Sequence, residues 1–496
     1  MLEKLAKQSA IYGISTILGR MLGYLLTPYY TRIFEPSAYG VITDLYALIP
    51  FALIVLSMGL ESSYFRFATK AEIAHEGNIS SVKKAKDELF ATAWGITSLA
   101  ALVLCALSFI FADQAAALMG EVYVKNRLYI PIVATIILFD IAATIPFARL
   151  REQGKAIGYV SFKMINIILQ VVLAIAFGLM GLFSTDFGVG WALVANLIAS
   201  TLTFMLILTT TSGIIPRIKL KIFVPIIGYS LPLLVSGVAA TATEFIDRQM
   251  IKHIIPVDSM AQLGIYGAVV KIAVVMTLFT QMYRLAAEPF FLANYKKSDF
   301  VAMNAAAMKY FVMASMLIFL GISLFRNLFA LIVGAEYREG IYILPVVLGA
   351  NVLMGIWLNL SFWYKREEKT HMAIIITLAG LVASVALNLI LVPRWGYYGA
   401  AWARFLGEGV MVAVSYYLCR RYFPTPYEKG AILSYITLGI ALFYTSEFFA
   451  PHIDNTLARM AINILLIAIY VYYAVRREKI DIKALAISAT AKILRR

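Results

Sequence analysis

The sequence predicts an all-α polytopic membrane protein, and three observations lead there. Of the 496 residues, 61% are hydrophobic, only 14% are charged, and the mean hydropathy is +0.81. Soluble domains carry about 45–50% apolar and about 25% charged residues, so a soluble core is excluded. Apolar stretches long enough to cross roughly 30 Å of hydrocarbon as helices recur along the whole chain. No polar linker divides them, and the same figures exclude a disordered or disulfide-stapled chain.

Fourteen such stretches are read, at 9–30, 41–66, 89–111, 128–149, 157–182, 187–210, 224–246, 263–285, 305–329, 341–363, 372–392, 397–419, 430–449 and 457–475. The first follows Met1–Gln8 with no cleavage site after it, so it is read as a span and not as a signal peptide. Orientation comes from the basic residues. With the N-terminus inside, the inner segments hold 27 of the 43 Lys and Arg residues. The outer loops hold 7: Arg32, Lys125, Arg127, Arg248, Lys252, Arg338 and Arg394. That bias places both termini in the cytoplasm and makes an even number of spans self-consistent. It also accounts for the net charge of +15 without nucleic acid as a partner.

Catalysis has little to build on. Cys105 and Cys419 lie far apart in apolar runs, and His75, His253, His371 and His452 fall in or beside loops. No metal-ligand spacing joins them, so no metal site, cofactor or catalytic residue is expected. The outer loops do not exceed about 17 residues, too short for the extracytoplasmic catalytic segment of a glycan polymerase or ligase. The protein is therefore read as a non-enzyme.

A weak internal repeat links the halves. Pro36-Ser37-Ala38-Tyr39-Gly40, opening span 2, matches Leu263-Gly264-Ile265-Tyr266-Gly267, opening span 8. Gly188-Val189-Gly190-Trp191-Ala192-Leu193, opening span 6, likewise matches Gly396-Tyr397-Tyr398-Gly399-Ala400-Ala401-Trp402-Ala403, opening span 12. The even offset of six spans argues for two parallel six-helix lobes, which commonly enclose a cavity open to alternate sides. The expected division is 1–222 (spans 1–6), 223–422 (spans 7–12) and 423–496 (spans 13–14 with a basic tail).

Several segments carry a family likeness. They are Gly13–Gly23, Pro36…Tyr39-Gly40, Asp247-Arg248, Gly264-Ile265-Tyr266…Lys271 and Asn388-Leu389…Pro393…Gly396…Gly399-Ala400-Ala401. In this order at these spans the sequence resembles the polysaccharide transporter (Wzx-type O-antigen flippase) family of the multidrug/oligosaccharidyl-lipid/polysaccharide (MOP) exporter superfamily. The resemblance implies a MATE-like fold of two six-helix lobes plus two C-terminal helices. It also implies outward movement of polyprenyl-pyrophosphate-linked oligosaccharide, with spans 13–14 offering a surface to the lipid tail. Membrane lipids and other polysaccharide-assembly membrane proteins are the further partners expected. The rival readings are a lipid-II-type flippase and a MATE-type cation-coupled drug exporter.

The ionisable residues inside the spans are the chemical signal. At about 2.5–3.5 kcal/mol each, they are too costly to leave facing lipid. Arg20, near the middle of span 1, is the first candidate for the pyrophosphate, because a guanidinium keeps its charge and matches phosphate oxygens. The alternative for it is an interhelical salt bridge, for which Asp140 in span 4 is a partner. The resemblance favours the substrate role. Lys163 and Lys271 either add positive potential to a cavity or snorkel to an interface. Arg404 and Glu408, four residues apart, read as a local ion pair on a helix face, with Arg404 also a candidate substrate contact. Arg66 and Arg284 end spans 2 and 8, as interfacial anchors or substrate contacts. Asp140 and Glu244 are candidates for coupling to H+ or Na+, since a carboxylate in low dielectric can titrate. Glu61, Asp247, Glu408 and Asn388 complete the candidates for coupling or gating. Of these, Asp247-Arg248 reads first as a structural or gating pair, and Asn388 as an interhelical hydrogen bond. Paired aromatics at span ends, such as Tyr29-Tyr30 and Tyr472-Tyr473, fit an interfacial belt.

Overall fold

A computed structural model describes residues 21, 24–293, 299–367, 369 and 371–479. Its regular elements among these residues are all helices. They run α1 (Leu26–Ile33), α2 (Pro36–Ser57), α3 (Leu60–Ala74), α4 (Ile79–Ile110), α5 (Ala112–Met119), α6 (Glu121–Lys125), α7 (Tyr129–Glu152), α8 (Ala156–Leu179), α9 (Gly190–Leu208) and α10 (Leu220–Ile254). After these come α11 (Ser259–Ile272), α12 (Val274–Ala293), α13 (Phe300–Leu324), α14 (Arg326–Phe329), α15 (Leu344–Leu360), α16 (Phe362–Arg366), α17 (His371–Trp395), α18 (Tyr397–Tyr422), α19 (Lys429–Phe449) and α20 (Thr456–Glu478).

Local chemistry sets several ends. Pro36 opens α2, where its missing N–H costs nothing. The Asn78 side chain accepts from the Ser81 N–H and caps α4, while Asn455 does the same for α20 through Leu457 and Ala458. The second predicted span is broken into α2 and α3 by Met58 and Gly59, both left-handed (φ 52° and 67°). A Cβ at Gly59 would lie 3.0 Å from the Ser230 carbonyl oxygen on α10, so glycine serves both the turn and the close approach.

Eleven described helices are long and apolar enough to cross a membrane, or twelve if the pair Ser259–Ile272 and Val274–Ala287, bent by 47°, is one span. Fourteen were expected. Span 1 falls largely outside the described residues. Span 12 is the helix α18, which carries Arg404 and Glu408 early and Arg420 and Arg421 in its last turn, and it is not among the twelve.

The chain forms two compact units. The first holds the described residues up to Ala268 together with Val333–Tyr337 and Ser384–Ala400. Within it α4 packs along α7 and α3, α9 along α7 and α8, and α10 along α2 and α3. Leu60, Tyr64, Phe90, Trp94, Ile145 and Ile226 belong to one apolar cluster in its core. Trp94 is anchored there by donating its indole N–H to the Ala142 carbonyl at 2.8 Å.

The second unit holds Val269–Ile332, Arg338–Ala383 and the described residues from Ala401 on. Its centre is α13, flanked by α15, α19 and α20. The buried Asn463 on α20 donates to the Leu324 carbonyl at 2.7 Å and accepts from Ser446 of α19 at 2.7 Å. Tyr470 donates to the Met313 carbonyl at 3.0 Å. These bonds fasten the two C-terminal helices to α13.

Candidate functional site

Arg20 lies outside the described residues. The other predicted charges fall into distinct places. In the first unit, Lys163 on α8 and Asp140 on α7 are electrostatic neighbours, with Glu61 also acting on Lys163. Lys163 is exposed, and its ammonium rests 4.3 Å from the Phe147 ring centroid in a cation–π contact. Glu61 itself pairs with Arg151 at the end of α7. Arg66 is exposed on α3 with its guanidinium 4.1 Å from the centre of the Tyr229 ring.

Asp247 and Arg248 are directed differently. Asp247 is fully buried and its Oδ1 accepts from Asn388 at 3.0 Å and Ser384 at 3.3 Å, both on α17. Arg248 donates to the backbone carbonyl of Glu244 at 3.1 Å. Asp247 and Asn388, read separately from the sequence, thus share one site. The Asn388 Oδ1, also buried, accepts no hydrogen bond among the described residues. Glu244 is exposed on α10. In the second unit Lys271 is half-buried, Arg284 exposed, and Arg404 and Glu408 both buried one turn apart on α18.

The most tightly built polar cluster was not anticipated. Asp44, in the third turn of α2, is 1% exposed, and its Oδ2 accepts from Lys252 and from the Tyr123 hydroxyl, each at 2.5 Å. Its Oδ1 accepts from Gln249 at 2.7 Å. Lys252 had been assigned to an outer loop. Instead α10 runs on to Ile254, and Lys252 is 7% exposed with its ammonium 4.6 Å from the Tyr123 ring centre. Burial, then the Asp44 charge, pushes the Tyr123 phenol well above its usual range, so it stays a donor. A carboxylate this close to the start of an apolar run was a visible signal. Its partners, 79 and 208 residues away, were not.

Around this cluster the repeat motifs close on each other. A Cβ at Gly40 would overlap the Met260 carbonyl, and one at Gly264 would overlap that of Pro36. Gly334 comes as close to the Thr31 carbonyl. Its N–H donates to the Thr31 hydroxyl at 3.1 Å, and Tyr337 donates to the Phe34 carbonyl at 2.7 Å. The Gln262 side chain accepts from the Tyr397 N–H at 3.2 Å. Segments remote in sequence are thereby fastened to the Pro36 end of α2. No group of three or more His, Cys, Asp and Glu side chains among the described residues is arranged to hold a metal ion.

Residues 5–294 match the family described as polysaccharide biosynthesis protein (Polysacc_synt), and the chain belongs to it. No curated protein matches the sequence. Among solved structures, the chain is similar to the lipid II flippase MurJ in an inward closed conformation, with a TM-score of 0.75 and 16% identity. That likeness covers 95% of this chain and 100% of the other. It is similar also to an inward-facing multidrug resistance MATE family transporter of the MOP superfamily (TM-score 0.68, 16% identity, 82% of this chain and 94% of that one). A third likeness is to a MOP superfamily transporter from Pyrococcus furiosus (TM-score 0.56, 16% identity, 84% and 95%). The protein is a membrane protein with the fold of MOP superfamily transporters.

Proposed function

We propose that this member of the polysaccharide biosynthesis family is a flippase. It moves polyprenyl-pyrophosphate-linked oligosaccharide by alternating access from the inner to the outer leaflet of a bacterial inner membrane, with both termini cytoplasmic. The observation that carries the reading is the set of cations inside or at the ends of the spans, in a chain of this family and fold. Arg20, Lys163, Lys271, Arg404, Arg66 and Arg284 are the groups assigned to the anionic head. Arginine serves the pyrophosphate by its fork of donors, and lysine adds positive potential. An inside-negative membrane potential favours outward transfer of an anion by about 2.3 kcal/mol per charge per 100 mV. The two lobes are assigned to 1–222 and 223–422, with 423–496 as the added C-terminal segment.

The cluster around Asp44, with the close glycine contacts beside it, serves as a clasp. Under the charge bias it lies at the outer end, so the arrangement is one in which that end is fastened. Release of the head group outward requires the Asp44–Lys252 pair to part. Asp247, with the oxygens of Ser384 and Asn388, is the proposed site for a coupling H+ or Na+. Asp140, Glu244, Glu61 and Glu408 remain the secondary candidates. A MATE-type exporter of cationic drugs fits less well, because the intramembrane cations would repel its cargo.

The test is mass spectrometry of polyprenyl-linked glycans from cells depleted of the protein, with assignment of the membrane face they occupy. One oligosaccharide accumulating on the cytoplasmic face establishes flipping and names the cargo. No accumulation, with altered resistance to cationic compounds, overturns the reading in favour of drug export. Arg20→Ala is expected to abolish transport in a folded, inserted protein, and full transport by that variant removes the pyrophosphate role of Arg20. Asp247→Asn is expected to abolish the dependence of transport on an imposed Na+ or pH gradient.

A further inference from the structure

The first unit carries a basic groove outside the residues assigned to transport. It has a volume of about 560 Å³ and is lined by Ser80, Lys83, Lys84, Asp87, Glu88 and the Gly213–Arg217 loop. Its wall is fixed. Ser212 and Gly213 are both left-handed (φ 56° and 71°), and the Arg217 N–H donates to the Ala91 carbonyl at 3.0 Å. A Cβ at Gly95 would lie 3.1 Å from the Arg217 nitrogen, so glycine there lets the loop lie against α4.

The charges in the groove are unequal in their pairing. Asp87 is matched by Arg149 at 2.6 Å, and Glu88 by Lys219 at 2.6 Å. Among the described residues Lys83, Lys84 and Arg217 have no ion-pair partner within 4.0 Å, and all three are exposed. Lys84 and Arg217 still feel the Glu88 charge, which Lys219 largely answers. A surplus of positive charge is left on a rigid wall.

Depth points to the ligand. The apolar run of α4 begins at Leu89, five residues past Lys84, which is about 7–8 Å along the helix. That is head-group distance from the hydrocarbon edge. The groove lining includes the exposed Ile215 (76%), and Ile79 (86%) and Leu220 (72%) are exposed at the first residues of α4 and α10. Basic groups flanked by apolar ones at this depth suit a phosphate whose acyl chains continue into the bilayer. We propose that this groove binds the phosphate head group of an anionic membrane lipid, holding the start of α4 and the 213–217 loop at the membrane surface.

The full-length protein in detergent is titrated with short-chain phosphatidylglycerol and phosphatidylcholine, and bound lipid is read by native mass spectrometry. The wild type is expected to prefer phosphatidylglycerol. Lys83→Gln/Lys84→Gln/Arg217→Gln is expected to bind it about a hundredfold more weakly, and Lys83→Gln/Lys84→Gln alone more than tenfold. The control Lys125→Gln/Arg127→Gln, a charge change elsewhere on the first unit, is expected to bind as the wild type does. Unchanged affinity in both groove variants overturns the proposal, as does an equal loss in the control. A parallel titration with polyprenyl pyrophosphate separates the sources of phosphate. Loss of that ligand with phosphatidylglycerol binding intact overturns the lipid assignment and makes the groove a landing site for cargo.

Discussion

Two buried ion clusters, one in each unit, differ in what surrounds them. In the first unit the Asp44 carboxylate is met by one cation and two neutral donors, with Lys252 and Asp44 side chains only 4% and 1% exposed. In the second, the Lys309 ammonium is met by Glu478 at 2.7 Å and Glu428 at 2.8 Å. The Glu428 side chain is 54% exposed and can be hydrated when the pair is lost. The first cluster has no water to fall back on; the second does. A sealed pair contributes little net stability while intact and exacts a large cost when one partner is removed. That suits the clasp proposed for this cluster. A half-open one suits a permanent anchor for the C-terminal helices, where Tyr435 adds a hydrogen bond to Glu478 at 2.6 Å.

The contrast can be broken by substitution, and Asp44→Ala is the strongest attempt. It leaves Lys252 buried and unpaired and is expected to destabilise the purified protein by about 3–5 kcal/mol in thermal unfolding. Asp44→Leu combined with Lys252→Met removes both charges and is expected to restore most of that loss. No recovery in the double variant would show that the cluster is not a sealed pair. Tyr123→Phe removes one hydrogen bond to a charged acceptor, expected to cost about 1.5–3 kcal/mol. Glu428→Gln, at the exposed partner of Lys309, is expected to cost about 0–1 kcal/mol. An effect of Glu428→Gln as large as that of Asp44→Ala would erase the distinction.

The smallest expected effect is a null one in pH. A phenol raised above its usual value of about 10 keeps its proton in the folded protein and gives its stability in full below that value. The stability difference between wild type and Tyr123→Phe should therefore be flat from about pH 6 to pH 9, and decline only as the pH climbs toward the raised phenol value. A difference already falling at pH 8 would mean that Tyr123 is not buried against Asp44.

The candidate site was legible in parts that depend on one helix. Arg404 and Glu408 were read as one face of one span, and both are buried on α18. Gly40 and Gly264 were noted as a repeat and as part of the family likeness, yet the spacing did not show that Gly40 meets the Met260 backbone and Gly264 that of Pro36. Asp247 and Asn388 were read as separate candidates because nothing in 141 residues of spacing says that α10 and α17 meet. Lys252 was lost to a loop because hydropathy fades before the helix does. Lys309 was passed over although it stands in an apolar span, and its carboxylates come from beyond α18 and from the last turn of α20.

Class and approximate span positions were determined by the sequence alone. The free energy of placing a helix in hydrocarbon is nearly a sum over its own residues, and that sum needs no neighbours. Which charges are sealed, stacked on a ring or left to water was decided only by tertiary structure. The energy of a buried charge depends on the few ångströms around it, and those are supplied by helices hundreds of residues away.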